Sequence, residues 1–123
     1  MLTNGVDIIE ISRIRKMVKR WGQRFLDRVF TDTELGICKG IPERLASRFA
    51  GKEAVMKALG TGTRGISWRE IEIASESSGK PVVNLYGKAR EKAENLGLSE
   101  LAISLSDSRD YSIAFVVGEM SPE

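Results

Sequence analysis

The chain has 123 residues, 41% of them hydrophobic and 29% charged, and a formal net charge of +2, which predicts one domain (residues 1–123) with a modest core. It contains no histidine and a single cysteine, Cys38, which excludes imidazole metal sites, histidine-based triads, internal disulfides and structural zinc. Any chemistry must therefore rest on carboxylates, lysine, arginine, hydroxyls or a hard, oxygen-bound cation such as magnesium.

No apolar run reaches the length of a bilayer span and no signal-peptide core opens the chain, so a cytoplasmic protein without a membrane partner is expected. Residues 2–9, LTNGVDII, read as an opening strand. Val6, Ile8 and Ile9 supply the β-branched residues, and Gly5 permits close approach of another backbone. Asp7 interrupts this apolar run and needs a partner: an arginine, a backbone N–H or a metal.

From Glu10 to Trp21 the period becomes helical, with Ile11, Ile14, Val18 and Trp21 expected to face inward. Arg13, Lys16 and Arg20 make a second stripe that Arg24 and Arg28 extend. Residues 13–28 hold seven basic side chains against one acid, Asp27, an asymmetry that points to an acidic partner or, more plainly, to a solvated face. No aromatics interleave the stripe as a base-stacking platform requires, which argues against single-stranded nucleic acid.

Thr31 and Glu34 have the spacing of a capping box for a short helix that stops at Gly40 and carries Cys38 as a packing residue. Pro42 suits the first turn of a long helix that runs through RFAGKEAVMKAL to Leu59. Leu45, Phe49, Met56 and Leu59 make its core flank. Ala46, Ala50, Glu53 and Lys57 make another flank, paved with small residues that something can approach closely. Glu53 and Lys57 project side by side from it. This is either an ordinary ion pair on a solvated helix or a carboxylate and ammonium suited to a metal-bound phosphate; the residues alone leave both open. The following loop, Gly60 to Gly65, is glycine-rich but lacks the Gly-Lys-Ser/Thr ending of a Walker A sequence.

Residues 68–75 are expected to form a half-exposed strand, followed by a turn at Ser77–Pro81 and a second strand at 82–86. A helix is expected over 87–96, then strands over 100–107 and 111–119. Leu101, Ile103 and Leu105 alternate, whereas the run IAFVV (113–117) reads as a strand buried on both faces. The result is an α+β domain with a mostly antiparallel sheet and a long central helix.

Three segments together resemble the 4′-phosphopantetheinyl transferase superfamily, in particular its short single-domain branch. They are Gly5-Val6-Asp7-Ile8 with Glu10 and Arg13-Ile14; Arg48-Phe49-Ala50-Gly51-Lys52-Glu53-Ala54 with Lys57-Ala58-Leu59-Gly60-Thr61-Gly62; and Gly79-Lys80-Pro81 with Leu105-Ser106-Asp107 and Tyr111. The resemblance runs from about residue 2 to residue 119.

It implies transfer of the phosphopantetheine arm of coenzyme A to a serine of an apo acyl carrier protein, for fatty acid biosynthesis, with adenosine 3′,5′-bisphosphate released. It implies that Asp7 and Glu53 ligate magnesium, that Lys57 stabilises charge on the phosphates, and that Glu53 is the candidate proton acceptor. Arg48, Lys57, Gly60, Gly62, Gly79, Lys80 and Pro81 match coenzyme-binding segments. Arg13, Arg20, Arg24 and Arg28 would face the acidic carrier protein, and family members of this length are homotrimers with sites between subunits. Many of them carry histidine where this chain has Asp107, a third candidate for a catalytic role or a simple turn cap. Two other classes compete: a non-catalytic basic module that holds an acidic protein, and a generic nucleotide enzyme, which the missing Walker and Rossmann patterns disfavour.

Overall fold

A computed structural model describes residues 1–62 and 64–121. Thr63 of the expected glycine-rich loop and residues 122–123 of the expected domain lie outside the described residues. The elements are β1 (Leu2–Glu10), α1 (Ile11–Trp21), α2 (Gln23–Val29), α3 (Asp32–Cys38), α4 (Pro42–Leu59), a 3-10 turn (Trp68–Glu70), β2 (Ile71–Ser75), β3 (Pro81–Leu85), α5 (Gly87–Asn95), β4 (Leu98–Asp107) and β5 (Tyr111–Met120). All strand pairings among the described residues are antiparallel. They form a three-stranded sheet of order β1–β5–β4 and a separate β2–β3 hairpin.

Helix α4 lies against both sheets, which explains its composition. Gly5 of β1 sits so close to it that a Cβ there would collide with the carbonyl oxygen of Ala54 and come within 3.0 Å of the Ala58 nitrogen. On the hairpin side, a Cβ at Gly51 would meet Ile73 Cγ1 at 3.0 Å and Ile103 Cδ1 at 3.3 Å. The small flank of α4 is thus covered by the chain's own strands: Ala46, Ala50 and Ala54 are all fully buried. Gly60, with φ of 75°, ends the helix in the left-handed conformation that a glycine adopts without strain. The capping box at the start of α3 is present: Thr31 Oγ1 accepts from Glu34 N at 3.2 Å, and Glu34 Oε1 accepts from Thr31 N at 2.9 Å.

Four expectations change. The alternation read into residues 68–75 begins with a 3-10 turn, and the strand proper, β2, is buried over Ile71 to Ala74 rather than half-exposed. Trp21 does not pack inward; it is 46% exposed, with the Arg20 guanidinium 5.0 Å from its ring centroid. The basic stripe is not one helix, since Gly22 (φ 55°) breaks it between α1 and α2. Finally, IAFVV alternates: Ala114 and Val116 are buried, but Ile113 and Phe115 face outward with Val6 and Ile8 on the uncovered side of the sheet.

Candidate functional site

The pleat of β1 sends Gly5, Asp7 and Ile9 toward α4. Because Gly5 lets β1 touch α4 at Ala54 and Ala58, the next inward residue, Asp7, lands beside Glu53 and Lys57. Its side chain is only 13% exposed. Lys57 Nζ donates to the Val6 carbonyl at 2.8 Å and lies 3.3 Å from Asp7 Oδ1. Glu53 has a raised carboxyl pKa, first because burial disfavours its charge and then because the Asp7 carboxylate lies against it, with Arg13 and Lys57 pulling the other way. The four side chains from β1, α1 and α4 therefore form one group: two carboxylates pressed together and flanked by two cations.

Like charges this close call for a cation between them. Among the described residues no cluster of three or more His, Cys, Asp or Glu could enclose a metal by itself. Two carboxylates are nevertheless the donor set magnesium takes from a protein when phosphate oxygens and waters complete its shell. Asp7 and Glu53 fit that ion, and Lys57 stands where a phosphate beside it would find a positive charge.

The remaining candidates divide between the two ends of α4. Gly60 and Gly62 follow Lys57 at its C-terminal end. Arg48 lies toward the other end, about 18 Å from Gly60 along the axis by the rise of an α-helix. Arg48 Nη2 donates to Ser75 Oγ at 2.9 Å, and its buried Nε has no partner among the described residues. Ser75 pairs with Pro81, so Arg48 adjoins the Gly79-Lys80-Pro81 turn. Asp107 belongs to this second group: Ser47 Oγ lies 3.1 Å from its Oδ1 and 2.8 Å from the Glu43 carbonyl. Among the described residues no hydrogen bond or ion pair joins Asp107 to Asp7, Glu53 or Lys57.

Two features escaped the sequence reading. One is a cleft of about 540 Å³ between α1, α2, α4 and the 3-10 turn, floored by Met17, Phe25, Val29, Phe49 and Trp68 and rimmed by Arg24 and Arg28. Its walls come from four segments, so no local pattern announces it. The other is Lys52, which is fully buried and ion-paired with the equally buried Glu34 at 2.6 Å. Here a signal existed: residue 52 completes the stripe 45, 49, 56, 59, so a lysine occupies a core position. Burial lowers its ammonium pKa, and Glu34 opposes that shift. Cys38 is a buried thiol pushed up to about 11, chiefly by desolvation, as suits a packing role.

Residues 4–116 match the model of the 4′-phosphopantetheinyl transferase superfamily. The chain is 50% identical to holo-[acyl-carrier-protein] synthase of Herpetosiphon aurantiacus, covering 96% of this chain and 98% of that protein. It is 51% identical to the protein of the same name from Dehalococcoides mccartyi, covering 97% and 99%. Among solved structures, it is similar to Helicobacter pylori holo-[acyl-carrier-protein] synthase in complex with coenzyme A. That likeness has a TM-score of 0.87 and 34% identity, over 94% of this chain and 99% of the other.

Proposed function

The chain belongs to the 4′-phosphopantetheinyl transferase superfamily, and from that membership we propose its function. It moves the phosphopantetheine arm of coenzyme A onto a serine of an apo acyl carrier protein, releasing adenosine 3′,5′-bisphosphate. Residues 1–123 act as one domain of this kind. The observation that carries the reading is the Asp7–Glu53 pair beside Lys57, within a chain that matches holo-[acyl-carrier-protein] synthases over almost its full length.

Asp7 and Glu53 would hold magnesium. When bound, that ion supplies a Lewis acid for the β-phosphate and takes up charge on the departing bisphosphate. Lys57 holds a positive charge beside the phosphates through the transfer. The serine Oγ forms a bond to the β-phosphorus, the bond from that phosphorus to the bridging oxygen breaks, and the serine proton passes to Glu53. We assign Arg48, Lys57, Gly60, Gly62, Gly79, Lys80 and Pro81 to coenzyme A. Asp107, which accepts from Ser47 Oγ at the same end of α4, goes with the nucleotide end.

Because these residues divide between opposite ends of α4, we take the working form to be a homotrimer in which neighbours complete each site. The uncovered apolar face of the β1–β5–β4 sheet supports this, since Val6 is 53% exposed, Ile8 58% and Phe115 46%. Among the described residues no helix is long and apolar enough to cross a membrane. With one free, buried thiol, we place the chain in the cytoplasm.

The test is intact-mass spectrometry of an acidic apo acyl carrier protein incubated with this chain, coenzyme A and magnesium. The expected result is a gain of one phosphopantetheine arm, lost when a chelator is added. No gain with any of several carrier proteins would leave the basic binding module as the better reading, although that module gives Asp7 and Glu53 no purpose.

Arg13, Arg20, Arg24 and Arg28 are assigned to the acidic carrier protein, with the cleft between Arg24 and Arg28 receiving an apolar side chain. Charged patches of this kind raise association rates and lose effect in salt. Arg24→Glu, on the rim of the cleft, is expected to raise KM for the carrier protein about tenfold at low salt, a single rim charge reversed, and to flatten its salt dependence. Unchanged values would remove Arg24 from the docking face.

A further inference from the structure

One residue before Glu53, α4 turns Lys52 into the interior, where its ammonium is fully buried. A buried ion pair is no more stabilising than well-packed apolar residues of similar volume. What lysine adds over methionine is direction. Its three N–H groups are all taken: by Glu34 Oε1 at 2.6 Å, by the Trp68 carbonyl at 3.0 Å, and by the Ile71 carbonyl. These acceptors belong to α3, the 3-10 turn and the first residue of β2. Glu34 is itself fixed, since its Oε2 accepts from Ile73 N at 2.8 Å and its Oε1 from Thr31 N at 2.9 Å. On its other side α4 has one side-chain hydrogen bond to β1 besides those of Lys57, from Thr3 Oγ1 to the Ala58 carbonyl at 2.7 Å. Thr3 holds one point of the helix, and Lys52 holds a second.

We propose that Lys52 is a positioning residue whose three-way hold sets the rotation and axial place of α4, and so aims Glu53 and Lys57 at Asp7. This rests on reading Asp7, Glu53 and Lys57 as the transfer site. Lys52 touches none of the reacting atoms; it acts through the helix that carries them.

The test compares Lys52→Met with the double variant Lys52→Met/Glu34→Met, using thermal melts, transfer kinetics and the dissociation constant for Mn²⁺ read by electron paramagnetic resonance. Lys52→Met strands the Glu34 carboxylate and lowers the melting temperature. The double variant removes both charges and melts above Lys52→Met, but below the unaltered chain, because Ile73 N and Thr31 N lose their acceptor. Its kcat nevertheless stays down by about a hundredfold, the cost of an ångström-scale misplacement. KM for coenzyme A stays within about threefold, as expected when the loss falls on the transition state. Its Mn²⁺ affinity falls by about tenfold, as for a lost outer-shell partner.

Recovery of kcat and Mn²⁺ affinity along with the melting temperature would overturn the proposal and leave Lys52 a plain structural residue. If the double variant does not fold, Lys52→Gln and Lys52→Met are compared at a temperature where both do. The glutamine keeps two N–H donors and should retain the higher kcat, and equal values count against the role. If the unaltered chain shows no transfer, the proposed function fails by itself. Mn²⁺ affinity then decides for Lys52, a normal value in the folded double variant overturning it.

Discussion

Asp7→Ala is expected to leave an apo acyl carrier protein unmodified under conditions where the parent chain converts it fully. The variant loses half of the carboxylate pair that would hold magnesium. A Lewis acid at a phosphoryl centre contributes several kcal/mol of charge stabilisation. At about 1.36 kcal/mol per tenfold, that is a loss of about a thousandfold or more in rate. The fold should not suffer with it. Glu53 binds its proton more tightly in the folded chain than in the unfolded one, because of burial and then of Asp7. The stability this contributes is present below the ordinary carboxylate range and is lost as pH rises through the raised value. The Asp7 carboxylate is one cause of that shift, so removing it relieves a repulsion on Glu53 that the metal-free parent carries. A melt at pH 7 should put Asp7→Ala at or above the metal-free parent. A collapsed melting temperature would make Asp7 a structural residue, and retained transfer would remove it from the site.

Gly5→Ala should have the largest effect on stability. The added methyl would run into the Ala54 carbonyl oxygen, a backbone atom inside a helix that cannot rotate aside. Over-packing usually costs about 1–3 kcal/mol where side chains can yield; with backbone on both sides the loss should reach the upper end or beyond. The urea midpoint should fall with little change in its slope. Because Glu53 adjoins Ala54, the helix that moves away takes Glu53 from Asp7, so transfer should fall even at temperatures where the variant is folded. A midpoint equal to the parent's would mean that β1 and α4 have room to separate freely.

What could be read from the sequence was whatever a single element declares by itself. Thr31 with Glu34, Pro42 with Gly60, and the glycine two residues before Asp7 each carry their structural reason within a few positions. Three motif positions, Asp7, Glu53 and Lys57, adjoin one another in the fold. What could not be read needs a second element. Trp-Arg-Glu-Ile alternates like a strand, yet Ser67 and Glu70 cap a 3-10 turn there instead, with Ser67 N donating to Glu70 Oε1 at 2.7 Å. Glu34 reads as a cap and is one, but its second task, meeting Lys52 and the edge of β2, depends on α4 and β2 arriving beside it. IAFVV reads as buried on both faces because hydrophobicity does not report which face finds cover. The basic stripe counts correctly at helical spacing, but Gly22 turns its second half onto a different helix and so onto the rim of the cleft.

The alternation of β1 also has a genetic consequence. Gly5 and Asp7 face the helix, while Val6 and Ile8 face away from it on the same strand. Shifting the strand by one residue exchanges the two faces completely. A single codon inserted or deleted between Ile8 and Ile11, where β1 runs into α1, would present valine or isoleucine to Glu53, seat a side chain where only glycine fits, and turn a carboxylate onto the apolar side. Substitutions in β1 can be tolerated one face at a time; changes in its length on this side cannot, so the spacing from Asp7 to α1 should vary less than the residues that fill it.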